Sequence, residues 1–308
     1  MPADFSVELG GLKLRNPVMT ASGCFGFGEE YSKLIDVNAL GAIVCKTVTL
    51  EPRLGNAPHR TWETSAGMLN SIGLENPGID GFIKDKIPNL WQYEPAIIAS
   101  IAGFTFEEFA KLAQRLEKAK GPISAIEVNI SCPNVEQARM PFGATPEPAA
   151  KVTRLVKENT TLPVIVKLTP NVSAPFIEIV QAVEQAGADC LSMINTLLGM
   201  AIDVKKRTPR ISTTTAGLSG PAIKPHALYR VWQAHKATKL PIIGIGGIAS
   251  WEDAVEFILA GASAVGIGTA CFIDPDVFTK VIKGIEKYLE EGGYKSISEI
   301  IGQMKEPA

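Results

Sequence analysis

The stretch VNISCPN (128–134) closes an apolar run on a thiol, Cys132, between Ser131 and Pro133, with Asn129 and Asn134 on either side. A cysteine that only packs belongs inside such a run. This one stands where the run stops and the chain turns, since proline cannot continue a sheet ladder. A thiol of ordinary acidity, near ~8.5, is a few per cent thiolate at neutral pH. Other polar residues recur at the ends of apolar runs: Ser22 and Gly23, Lys46 and Thr47, Ser100, Lys167, Asn195 and Thr196, with Asn70 inside MLNSIGLENPG. Amides and ammoniums taken out of water need partners. A planar ligand rich in carbonyl and N–H groups would supply them. Taken singly, each lysine reads equally as a salt bridge and each asparagine as a turn residue; the joint set points to a ligand. Gly246-Gly247 in GIGGI and Gly268-Thr269 in AVGIGTA are a second signal. Such pairs form either tight turns or a cradle in which backbone N–H groups and a helix N-terminus hold a phosphate.

The elements that must carry these residues alternate. PVMTA (17–21), AIVCKT (42–47), AIIASI (96–101), AIEVNI (125–130), PVIVKL (163–168), CLSMIN (190–195), PIIGIG (241–246) and AVGIG (264–268) are nearly continuous apolar runs, as parallel strands buried on both faces require. EEYSKLIDVNAL, FEEFAKLAQRLEKA, PAAKVTRLVKEN, PFIEIVQAVEQAG, PHALYRVWQAHKA and WEDAVEFILAGA show helical spacing, two of them closed by Gly187 and Gly261. Eight such units imply a (β/α)8 TIM barrel in a single domain, 1–308, in preference to an open doubly wound sheet. FSVELGGLKLRNP reads as an N-terminal β-hairpin turning at Gly10-Gly11 and capping the barrel bottom. Long insertions follow strand 2 (48–95), strand 4 (CPNVEQARMPFGATPEP) and strand 6 (197–240). They leave from the C-terminal face, where barrel active sites lie, and supply lid and pocket.

Bulk properties exclude several classes. A net charge of −2 gives no nucleic-acid or polybasic membrane signal. No apolar run is long enough to span a membrane, and MPADFSVELGG lacks the features of a signal peptide, so a cytoplasmic protein is expected. Cys24, Cys45, Cys132, Cys190 and Cys271 are odd in number, scattered and without C-x-x-C spacing, which argues against a disulfide framework, a structural zinc or a cluster held by this chain alone. Cys45 and Cys190 fall within strands and read as core. ASGCFGFGEE does not fit a dinucleotide fingerprint.

In order along the chain, ASGCFGFGEEY, CKTVTLEPRLGN, GMLNSIGLENPGID, VNISCPNV, VKLTPNV, MINTLLGM, AGLSGPAIKP, GIGGI and AVGIGTA resemble the dihydroorotate dehydrogenase family over about residues 5–305, most closely its class 1B catalytic subunits. The resemblance implies oxidation of dihydroorotate to orotate in pyrimidine biosynthesis, with one FMN per chain. It implies a partner subunit holding FAD and a 2Fe–2S cluster that passes electrons to NAD, and a homodimer core within a heterotetramer. It implies Cys132 as the general base at C5 while the C6 hydride passes to N5 of FMN, with Lys46 meeting both substrate and flavin. Substrate would be held by Lys46, Asn70, Ser71, Ile72, Gly73, Leu74, Asn129, Asn134, Asn195 and Thr196. The flavin would be held by Ser22, Lys46, Thr47, Ser100, Asn129, Lys167, Ile194 and Gly220, with Gly246, Gly247, Gly268 and Thr269 around its phosphate and Lys167 near its N1–O2 edge. No metal is expected. One position departs: many relatives carry Asn where this chain has Ser100, whose hydroxyl is expected to donate to the flavin, directly or through water.

Three other readings compete. A class 1A-like enzyme would work alone with fumarate, although NVEQARMPFG lacks that class's Gly-Lys-Pro-type loop. A lyase barrel would use Lys167 as a Schiff-base lysine. A non-catalytic barrel would merely keep the flavin site.

Overall fold

The computed structural model describes residues 3–119, 121–130 and 141–307. Eight parallel strands close into a barrel: β1 (Val18–Thr20), β2 (Ala42–Val44), β3 (Ala96–Ile101), β4 (Ile123–Asn129), β5 (Val164–Leu168), β6 (Cys190–Met193), β7 (Ile242–Ile245) and β8 (Ala264–Ile267). Neighbours in sequence are neighbours in space, and β8 pairs with β1 to complete the ring. The apolar runs lie where the barrel needs them, because each strand faces side chains within and helices without. The longer helices among the described residues are α1 (Phe106–Ala119), α2 (Pro146–Lys157), α3 (Phe176–Gln185), α4 (Lys224–Ala237), α5 (Trp251–Leu259) and α6 (Val277–Gly292). On α1 the buried residues Phe109, Leu112, Ala113 and Leu116 make the single stripe that packs on the sheet. Helix α5 opens on a capping box between Ser250 and Asp253.

The N-terminal hairpin pairs Val7–Leu9 with Leu12–Leu14 through Gly10 and Gly11, both at positive φ. A Cβ on Gly10 would stand 2.3 Å from the carbonyl oxygen of Asp189, just before β6, so the turn packs against the N-terminal end of the barrel.

Two expectations need correcting or extending. EEYSKLIDVNAL is not an α-helix; it forms two 3-10 turns, Tyr31–Lys33 and Val37–Ala39. The Asp36 carboxylate accepts from Asn38 N at 3.0 Å, and that local bond competes with a continuous helix. The insertions after β2 and β6 are also not independent loops. Thr61–Thr64 and Gly67–Asn70 form a hairpin, Ala216–Ser219 pairs with Gly67–Asn70, and Leu197–Gly199 pairs with Ala216–Ser219. The two excursions therefore weave one four-stranded antiparallel sheet, with its own small core of Leu69, Ile211 and Ala216. Of the third insertion, residues 131–140 lie outside the described residues.

Candidate functional site

The barrel interior carries a polar layer just below its C-terminal mouth. Glu127 on β4 is 1% exposed. Its Oε1 accepts from Ser100 Oγ on β3 at 3.1 Å, and its Oε2 accepts from Ser192 Oγ on β6 at 3.1 Å. Lys167 Nζ on β5 lies 3.8 Å from Glu127 Oε1 and donates to Ser22 Oγ, after β1, at 3.4 Å. Strands β1 and β5 are opposite one another in the ring, so a side chain from one that reaches the other spans the barrel mouth. The Lys167 ammonium thus sits over the middle of the barrel with its stem buried.

Thr47 Oγ1 lies 2.9 Å from Ser100 Oγ. Since Ser100 has one hydroxyl proton and gives it to the Glu127 carboxylate, Thr47 is the donor of that pair. Ser100 was expected to donate to a ligand; in this arrangement its proton goes to Glu127. Ser100 is 1% exposed, and its proton points across to its register partner on the neighbouring strand.

Lys46 is half-buried at the end of β2, and a Cβ on Gly23 would lie 4.0 Å from its Nζ. Cys24 lies close enough for Lys167 and Lys46 to act on its thiol, yet burial outweighs both and pushes that thiol above its ordinary value. Asn129 pairs in register with Lys167 and, with Leu74 and Ala102, lines a small cleft at the mouth.

The woven sheet forms one wall. Asn70 Nδ2 donates to the carbonyl of Gly217 at 3.4 Å, and a Cβ on Gly217 would be 2.2 Å from Thr196 Oγ1. Asn70 and Thr196, far apart in sequence, thus meet across one strand. Thr196 is further held by Asn171, whose Nδ2 donates to its carbonyl at 2.8 Å, while Asn195 N donates to Leu168 O. Ser71 is buried, its Oγ accepting from Asn56 Nδ2 at 2.8 Å. Ile72 O accepts from Asn56 N, and Gly73 and Leu74 are both at positive φ. Buried Asn76 fastens this turn: its Nδ2 donates to Leu74 O at 2.7 Å, and its Oδ1 accepts from Thr49 N and Gly78 N.

On the other side, glycines from three segments converge. Gly220, Gly246 and Gly247 all have positive φ, and a Cβ on Gly247 would lie 2.8 Å from Gly220 O and 3.0 Å from Lys224 N, the first residue of α4. A Cβ on Gly268 would stand 3.3 Å from Cys24 Sγ, and Thr269 Oγ1 donates to Ser219 Oγ at 2.7 Å. Lys224 Nζ is engaged by Asp253 at 2.6 Å and Glu256 at 3.0 Å, which leaves backbone N–H groups to line the cradle. Ile194 N donates to Ile245 O, placing it between the cradle and the polar layer.

The described strand-end residues are thus gathered at one mouth; Cys132 and Asn134 lie outside the described residues. Sequence reasoning missed Glu127, Ser192, Asn76 and Asn171. The signal for Glu127 was available: it is the one charge inside AIEVNI, where a buried parallel strand has no use for it.

A family model described as dihydroorotate dehydrogenase matches residues 5–289. A protein of Desulforamulus reducens is 54% identical over 98% of this chain and 99% of its own length. Others from Thermoanaerobacter pseudethanolicus (52%, over 98% and 99%) and Anoxybacillus flavithermus (53%, over 97% and 95%) are similar throughout. All three are called the catalytic subunit of dihydroorotate dehydrogenase B (NAD(+)).

Proposed function

The chain belongs to the dihydroorotate dehydrogenase family, and from that premise we propose that it oxidises dihydroorotate to orotate as the NAD-linked, class 1B catalytic subunit. The observation that carries this reading is the Lys167 ammonium held over the barrel centre beside a glycine cradle. The residues present fit FMN. At one side Gly220, Gly247, Gly268 and the α4 N-terminus offer backbone N–H groups and space without a Cβ, which suits a phosphate. At the other, Lys46, Lys167, Thr47 and Asn129 offer the cations, hydroxyl and amide that a planar dicarbonyl ring pairs with.

When bound, FMN, held by the glycine cradle, Lys46, Lys167, Thr47 and Asn129, would supply a two-electron acceptor for the hydride leaving C6 of the substrate. The chain's own residues do the rest. Cys132 Sγ takes the C5 proton. Lys46 holds the substrate carboxylate by charge, and Asn70, Asn129, Asn134, Asn195 and Thr196 orient the pyrimidine amides. Lys167 places positive charge where negative charge grows on reduction. The segment Asn70–Leu74, fixed by Asn76, covers the ring and keeps water out.

Electrons leave through a partner subunit with FAD and a 2Fe–2S cluster, on a homodimer core within a heterotetramer, in the cytoplasm. The relatives' name, catalytic subunit, supports a partner, and the described thiols Cys24, Cys45, Cys190 and Cys271 are all free, in keeping with a reducing compartment. No helix among the described residues is long and apolar enough to cross a membrane.

The test is the visible spectrum of the purified chain under anaerobic conditions. A flavin band that dihydroorotate bleaches and NAD alone does not restore is expected. Restoration by NAD or by fumarate without the partner would rule out the two-subunit assignment. A colourless chain that stays so with added FMN would rule out the flavoenzyme reading and leave an imine at Lys167, trappable with borohydride.

A further inference from the structure

We propose that Glu127 is a positioning residue of this site, an inference that rests on the flavin reading above. It holds Lys167 and, through Ser100, sets the direction of the Thr47 hydroxyl. Three observations carry it. First, the carboxylate is buried in the barrel interior and engaged on both oxygens, by Ser100 and Ser192 at 3.1 Å each. Two neutral hydroxyls do not balance a buried charge; the Lys167 ammonium at 3.8 Å does. Second, Lys167 is anchored at both sides of the mouth, by Glu127 on β4 and Ser22 after β1, so its Nζ is held in place before any ligand arrives. Third, the hydrogen bonds have a fixed sense. Ser100 gives its proton to Glu127, Thr47 gives its proton to Ser100, and the Thr47 oxygen is left with only acceptor capacity for any further partner. A ring N–H is the group such an acceptor takes.

The consequence is electrical as well as geometric. With Glu127 beside it, Lys167 presents a compensated charge to the cofactor; without Glu127 it presents a whole one. The reduced cofactor carries more negative charge than the oxidised one, so an uncompensated ammonium favours the reduced form. Glu127 therefore keeps the cofactor easier to reoxidise by its partner than Lys167 alone would allow.

The experiment measures the midpoint potential and FMN dissociation constant of the purified chain carrying Glu127→Gln. Reduced FMN is expected to gain about tenfold in affinity relative to oxidised FMN, a rise of about 30 mV for a two-electron couple. Glu127→Asp is expected to return most of that shift. Ser192→Ala removes a hydrogen bond but no charge and is expected to leave the potential in place. An unchanged potential in a Glu127→Gln chain that folds and binds FMN overturns the inference while leaving the proposed function standing. Should Glu127→Gln not fold, Ser100→Ala decides. It frees the Thr47 proton and is expected to weaken FMN binding severalfold without moving the potential; wild-type binding there overturns the inference. A wild-type chain that binds no FMN removes the function reading and this inference with it.

Discussion

A thiol of ordinary acidity works as a base by position rather than by strength, because only its thiolate fraction accepts protons. Cys132→Ala is expected to lower the rate of flavin bleaching by dihydroorotate by about 10²- to 10⁴-fold while leaving the flavin spectrum intact. Cys132→Ser, with a far less acidic hydroxyl, is expected to move the rise of rate to higher pH. Stopped-flow bleaching from pH 6 to 10 reads both. The Cys24 thiol at the mouth should behave differently. Cys24 has two lysines near it, which would mark it as reactive, but burial outweighs them and holds it protonated. Its raised value means a smaller thiolate fraction at neutral pH than a free cysteine has. Alkylation of Cys24 by iodoacetamide, followed by peptide mass, should be slower in the native chain than in the denatured one. Equal rates would mean that the lysines prevail.

At the scale of elements, the woven sheet is what joins Asn70 and Thr196. Gly217 has no room for a side chain, since a Cβ would meet Thr196 Oγ1 at 2.2 Å and Thr196 Cβ at 2.8 Å. Gly217→Ala must displace Thr196, a stiff β-branched residue, or lift the strand that also receives Asn70. A several-fold rise in KM for dihydroorotate is expected, with a stability loss of about 1–3 kcal/mol by urea unfolding. An unaffected KM would separate the sheet from substrate binding. This is also where reading from sequence ran out. The barrel strands were legible because burial on both faces leaves an apolar run that local composition displays, as AIIASI does over its whole length, Ala96–Ile101. The sheet was not, because TWET, GMLN and AGLS are short and weakly patterned, and AGLS pairs with GMLN across about 150 positions of sequence, a distance no local period encodes. Tyr31–Ala39 failed for the opposite reason: its spacing is helical, but Asp36 and Asn38 satisfy the backbone locally. At the mouth, residue types announced a ligand site, yet the direction of the Ser100 proton depended on Glu127, a partner one strand away.

For the whole molecule, the distribution of buried thiols sets a limit on the alkaline side. Cys45 follows β2 and Cys271 follows β8, and burial pushes each up to about 12; Cys190 on β6 is pushed up in the same sense. Tyr31, whose hydroxyl lies 3.1 Å from Cys271 Sγ, is raised by burial and by that contact. In the unfolded chain these thiols ionise near ~8.5. The unfolded state therefore sheds protons first as pH rises, and the folded state holds them. Stability from these groups is present in full below about pH 8.5 and is lost progressively as pH climbs toward the folded values, by up to about 1.4 kcal/mol per pH unit for each thiol. Cys45→Ala removes one of these contributions at the cost of a small cavity, about 1–2 kcal/mol at neutral pH. Urea midpoints of the reduced chain at pH 7.5, 9 and 10.5 should show the variant less stable than wild type at the lowest pH and the gap narrowing at each step. A gap that stays constant across the series would mean that Cys45 ionises as freely in the folded barrel as in the open chain, and that the alkaline limit lies elsewhere.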